Sequence, residues 1–170
     1  PIDVVIPACE DDLFTLDRCV SCLKENGKGV RRIVVLSEKP LTREGEWFDS
    51  KQLPFASEEV SDGALFKELS KLYAPLLIDG LTDQVVILSP HTLILQPIDF
   101  IDSKGRSVMR VTYGSRPRCH EYNQKLWGEY KKAHLVESGL SSYLVIDRSI
   151  MSSLVETIEQ EHEGAPSWKV

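Results

Sequence analysis

Two β-branched runs restrict this chain more than any other feature. They are Ile2-Asp3-Val4-Val5-Ile6, stopped by Pro7, and Ile33-Val34-Val35-Leu36 within Val30 to Leu36. Short apolar runs bounded by turn residues read as buried strands. Between them Leu16, Cys19, Val20 and Leu23 recur at helical spacing within Leu13 to Asn26, and Asn26-Gly27 supplies the stop. A strand, helix, strand unit of this length makes two parallel strands with a right-handed crossover.

The rest of the chain continues the alternation. Residues 37 to 61 carry Pro40, Gly45, Pro54 and several charges, which predicts irregular surface chain. Asp62 then opens a helix from Gly63 to Ile78, which Pro75 should kink or finish. Asp79-Gly80 turns the chain into Val85-Val86-Ile87-Leu88, a buried strand. Ser89-Pro90-His91 interrupts it, and Thr92-Leu93-Ile94-Leu95 resumes extended structure before Pro97. A strand is expected over Arg106 to Tyr113, a helix over Cys119 to Lys132 and a strand over Ser142 to Ile146. A last helix follows over Arg148 to Gln160, capped by Asp147 or Ser149. This order predicts a single α/β domain over residues 1–170, a three-layer sandwich around a mainly parallel central sheet.

Charge and composition narrow the function classes. The net charge is −6, which suits a soluble protein but not a general binder of phosphate backbones, so nucleic acid is not expected as a partner. No apolar run reaches membrane-spanning length, and the amino-terminal residues lack a basic region followed by an apolar core; the chain reads as cytoplasmic. Four cysteines, Cys9, Cys19, Cys22 and Cys119, are too few for a disulfide framework and read as reduced thiols.

Three segments in order resemble a known family. They are Asp3-Val4-Val5-Ile6-Pro7, then Gly63 to Pro75, then Val85 to Phe100 with its strand, Ser-Pro-His-Thr, strand, Pro pattern. A fourth, Glu137 to Ile158, is similar to the same family's late strand and helix. Together they resemble the bacterial glycosyltransferase-like proteins of the GT-A fold often called domain of unknown function 6492. The resemblance implies a nucleotide-sugar transferase architecture, with a pocket at the carboxyl ends of the strands ending near Ile6 and Leu88. The chain is short for that fold, which leaves room for a trimmed acceptor-binding half.

The departures fall on the chemistry. Ser89 and His91 stand where the resemblance places an acidic Asp-x-Asp pair, Lys67 and Glu68 stand where it places two Gln, and Ser141-Ser142-Tyr143 replaces a stretch common in imidazoles. A departing nucleoside diphosphate gathers negative charge, which such enzymes offset with Mn²⁺ or Mg²⁺ on those carboxylates. A serine hydroxyl and an imidazole are poor ligands for a hard cation. No tight Mg²⁺ or Mn²⁺ site is therefore expected unless carboxylates from elsewhere replace the pair.

The expected function is a glycosyltransferase-like domain with lost or altered catalysis, a pseudoenzyme. The alternatives are a non-catalytic protein that binds a partner or carbohydrate through the same fold, and an active metal-independent hexosyl transferase. Candidate donor-binding residues are Asp3, Pro7, Lys71, Ser89, His91, Arg116 and Arg118, the two arginines because guanidinium groups meet phosphates bidentately. Only His91, of four histidines, follows a buried strand, where open α/β sheets bind ligands.

Other constellations have plainer explanations. Cys19-x-x-Cys22 with Cys119-His120 has the composition of a zinc site, but the pair sits within a helix and reads as buried thiols. Asp83, Asp99 and Asp102 read as turn or surface residues. Pro1 has the look of a tautomerase amine base, but no repeated half accompanies it. Trp127 and Tyr130 read as core.

Overall fold

The computed structural model describes residues 1–56, 59–60, 63–108, 112–113, 137–138 and 143–169. Strand β1 (Ile2–Pro7) leads through helix α1 (Leu13–Asn26) to β2 (Val30–Ser37), and β3 (Glu46–Asp49) follows. Helix α2 (Gly63–Leu77) and β4 (Gln84–Leu88) come next, then the two-residue strands β5 (Thr112–Tyr113) and β6 (Glu137–Ser138). Strand β7 (Tyr143–Asp147) and helix α3 (Arg148–Glu161) close the order. The main sheet runs β3-β2-β1-β4-β7, with β7 alone antiparallel, and β5 pairs with β6 in a separate antiparallel ribbon. This is an α/β fold with a five-stranded, mainly parallel sheet.

Helices cover both faces. Val4, Ile6, Val86 and Leu88 meet Leu16, Cys19, Val20 and Leu23 of α1 on one side. Val5, Val34, Leu36, Val85 and Ile87 meet Tyr73, Ala74 and Ile78, on α2 and just beyond it, on the other. Gly27 follows α1 in extended conformation, and the position requires glycine because a Cβ there would lie 2.7 Å from the Leu23 carbonyl and 2.8 Å from Val30. Asp147 caps α3 by accepting from the Ser149 and Ile150 N–H groups, as its position predicts. Among the described residues no helix is long and apolar enough to cross a membrane.

Several sequence expectations need correction. Residues 37 to 61 are not wholly irregular: β3 pairs in parallel with β2 from Val34↔Glu46 to Ser37↔Asp49. Four residues, two of them acidic, carry too little β signal, so the pairing is a tertiary outcome. Helix α2 ends at Leu77, one residue before the expected end and two after Pro75; the ring removes one donor, and the Pro75 carbonyl accepts from Arg148 Nε at 2.7 Å. Thr92 to Leu95 is no strand, for the segment crosses the end of α1, with Asn26 Nδ2 donating to the Ile94 carbonyl at 2.7 Å and Ile98 N–H to the Asn26 carbonyl at 2.9 Å. Of the strand expected over Arg106 to Tyr113, the described residues show Thr112–Tyr113 as strand and an isolated bridge at Ser107, while residues 109–111 lie outside the described residues. The helix expected over Cys119 to Lys132 lies outside the described residues.

Asp3 is the single charge on β1 and is fully buried. Arg31 donates to its two oxygens at 2.9 and 2.5 Å, and the Thr82 N–H donates at 2.8 Å. Burial alone raises the carboxyl pKa, yet the Arg31 and Thr82 bonds outweigh it and hold the group below its ordinary 3.8. A depressed folded value means that the ionised group stabilises the fold above its unfolded pKa and stops doing so as pH falls through the folded one. Urea unfolding of Asp3→Ala is expected to show a stability deficit that is widest above about pH 5 and narrows below about pH 4. A deficit independent of pH would assign Asp3 a packing role only.

Candidate functional site

The order of the sheet determines where a ligand can enter. The chain leaves β1 through α1 to β2 on one side, then returns over the opposite face to β4 on the other. The crevice outside the carboxyl ends of strands at such a reversal is the usual binding position in open α/β sheets. Here it is built from the turn after β1, from Ser89-Pro90-His91 after β4, and from the first turns of α2. A cleft of about 440 Å³ opens beside it. Pro7, Ala8 and Cys9 form one wall, Ser37 at the end of β2 with Glu38 after it another, and Phe66, Lys67 and Ser70 of α2 a third.

A buried carboxylate joins this cleft to the bend. Cys9 caps a 3₁₀ turn, Glu10–Asp12, that runs into α1 and turns Asp12 inward, 2% exposed. Its Oδ2 accepts from the Cys9 N–H at 2.8 Å, and its Oδ1 lies 3.0 Å from His91 Nε2. Nδ1 of the same ring is 2.9 Å from Thr15 Oγ1, which also lies 3.2 Å from the Asp12 carbonyl. With Nε2–H donating to Asp12, a neutral ring accepts at Nδ1 from the Thr15 hydroxyl. A protonated ring donates there, and the hydroxyl turns to the Asp12 carbonyl. Either state is fully bonded.

Asp12 stays ionised. Burial is the largest influence and pushes its carboxyl up, but the Cys9 N–H and thiol, the Lys67 ammonium and His91 together hold it below the ordinary value of 3.8. Lys67 Nζ stands 3.8 Å from Oδ2, and contact with the Cys9 thiol and with Asp12 raises its pKa, so it remains a cation. The other cation lining the cleft, Lys39, pairs with Glu10.

The candidate residues from sequence separate accordingly. Pro7 lines the cleft, and Ser89 and His91 lie at the adjoining strand end, His91 bonded to Asp12. Asp3 stands at the amino end of β1, away from the cleft and fully engaged by Arg31 and Thr82. Lys71 points elsewhere, to Glu68 at 2.5 Å, and Lys67 one turn earlier takes the position facing the cleft. Arg116 and Arg118 lie outside the described residues, as do Cys119, His120, Lys125, Trp127, Tyr130 and His134. Reading the sequence missed Asp12, Thr15 and Lys67 as site residues. For Lys67 the available signal was its place among the departures from the resemblance; for Asp12 it was the position three residues after the cap Cys9, a spacing that serves a helix start equally well.

A divalent cation at this bend can be tested against the side chains present. Mg²⁺ and Mn²⁺ take several charged or carbonyl oxygens. The described residues offer the Ser89 hydroxyl, an imidazole with both nitrogens within reach of protein oxygens, and one carboxylate already bonded on both oxygens. That set does not fit a hard cation. Among the described residues no group of three or more His, Cys, Asp or Glu is placed to hold a metal.

Fold and site define an α/β domain with an open cleft at the carboxyl edge of a mainly parallel sheet. Among solved structures the chain is similar to the glycosyltransferase GlyE of Streptococcus pneumoniae TIGR4, in its apo form and in a second structure. In each the identity is 12% and the TM-score 0.44, over 96% and 97% of this chain and 40% of GlyE. The chain thus spans two fifths of that enzyme's length. No family model matches the chain, and no curated protein matches it.

Thiol reactivity checks the local packing. Cys19 is fully buried, with Sγ 3.6 Å from the Ser89 carbonyl, and burial pushes its thiol up to about 11. Cys9 and Cys22 are only half-buried. Mass-spectrometric mapping of limited alkylation at pH 8 is expected to find Cys9 and Cys22 labelled well before Cys19. Early labelling of Cys19 would mean that α1 does not pack as described.

Proposed function

We propose that this chain is a glycosyltransferase-like nucleotide-sugar-binding domain that has lost or altered the metal-dependent transfer step. The observation that carries the reading is the Asp12–His91–Thr15 network: the position expected to recruit a metal instead holds an imidazole bonded into the protein. The cleft beside it supports donor binding, because it lies at the carboxyl ends of β1 and β2 and has a cation, Lys67, on its wall. The resemblance of Asp3 to Pro7, Gly63 to Pro75 and Val85 to Phe100 to the bacterial GT-A group supports the same class of ligand. In this reading the departing diphosphate finds no divalent ion, and the chain binds the donor through its own side chains, Arg116 and Arg118 among the candidates. Hexosyl transfer is then absent or runs without metal.

Thermal unfolding tests this directly. A ligand bound only by the native state raises stability by RT ln(1 + [L]/Kd), about 2.7 kcal/mol at a hundredfold excess over Kd. UDP or GDP at millimolar concentration is expected to raise the melting temperature equally with and without Mn²⁺. No shift with either nucleotide would end the donor-binding reading, and a shift that needs Mn²⁺ would end the metal-free one. The double variant Ser89→Asp/His91→Asp is expected to acquire Mn²⁺ binding, measured by calorimetry, because it supplies two charged oxygens at the bend.

A further inference from the structure

We infer that Lys67 is the group that meets the phosphates of a ligand in this cleft, and that His91 serves it indirectly by holding Asp12. The inference rests on the donor-binding reading for the identity of the ligand, but its geometry stands on the cleft itself. Two cations line the cleft among the described residues, and they differ in whether a carboxylate already meets them within hydrogen-bond distance. Lys39 is paired with Glu10 on the exposed rim. Lys67 is 3.8 Å from Asp12, beyond direct hydrogen-bond distance, with its side chain 48% exposed.

The carboxylate beside Lys67 keeps its direct hydrogen-bond donors without it. Asp12 Oδ1 has His91 Nε2 at 3.0 Å and Oδ2 has the Cys9 N–H at 2.8 Å. When Lys67 swings toward an incoming phosphate, the buried charge on Asp12 keeps a donor on each oxygen. Without His91 the same swing would leave one oxygen bare, at the cost of an unpaired buried charge. An imidazole at position 91 therefore has a use that needs no metal: it satisfies Asp12 and leaves the ammonium available.

The remaining charges of the cleft define what kind of ligand suits it. Glu10, Asp11 and Glu38 also line it, so a phosphate is repelled from most of its wall and attracted where Lys67 meets the Ala8–Cys9 turn. A ligand with a compact anionic part and an uncharged, hydroxyl-bearing remainder matches this distribution, which is the chemistry of a diphosphate linked to sugars. Lys71, one helical turn on, is turned to Glu68 and does not line the cleft, so it serves as the control.

Calorimetric titration of inorganic pyrophosphate and of UDP into the whole chain separates this inference from the reading beneath it. Wild type and Lys71→Ala are expected to bind pyrophosphate alike. Lys67→Ala should bind it about tenfold more weakly and with a flatter dependence on salt, whereas Lys67→Arg keeps most of the affinity. Equal pyrophosphate affinity in wild type and Lys67→Ala overturns the role of Lys67, whatever UDP does. Lys67-dependent pyrophosphate binding, with UDP bound no more tightly than pyrophosphate, upholds Lys67 and overturns the nucleotide reading. If wild type binds neither, both fall.

Discussion

Everything in this fold hangs on the burial of β1. All six of its residues are buried, and both its edges are paired in parallel, to β2 and to β4. A strand buried on both faces needs a helix on each, which α1 and α2 supply. Because β2 and β4 flank it on opposite sides, the chain must reverse its direction of travel across the sheet there. The carboxyl end of β1 is consequently where loops diverge and a cleft opens. The stability of the core and the location of the site follow from the same pairing.

The amino end of β1 receives the opposite treatment. Asp3 would be an intolerable charge in that position without the Arg31 fork and the Thr82 N–H. Together they close the amino edge of the sheet, with Arg31 also reaching the Gly80 carbonyl at 2.5 Å. The two buried carboxylates of this half of the protein, Asp3 and Asp12, thus sit at opposite ends of one strand and its following turn. The first is locked by an arginine, the second held by a histidine and bordered by a mobile-stemmed lysine. That difference in partner leaves one end closed by a bidentate ion pair and the other bordering an open cleft.

The bend after β4 carries the chemical argument. Pro90 ends the ladder, Ser89 offers its carbonyl to Cys19, and His91 reaches across to α1. Ser89 and His91 fasten the strand end to the neighbouring helix and the turn before it. Lys67 and His91, far apart in sequence, come together on a single carboxylate.

Much of this architecture was legible in the residues alone. The runs at Ile2 to Ile6, Ile33 to Leu36 and Val85 to Leu88, with helical spacing between them, determine an α/β fold with parallel strands, because each run is too apolar to face water and too short for a helix. Asn26-Gly27, Asp79-Gly80 and Asp147 mark their turns and cap by local chemistry. What local chemistry cannot carry is partnership. Strand β3, the path of Thr92 to Leu95 over α1, the choice of Lys67 over Lys71, and the meeting of Asp12 with His91 all depend on contacts between residues far apart in the chain. A side chain's sequence position states which bonds it is able to make; only the packed fold decides which partner comes within 3 Å to make them.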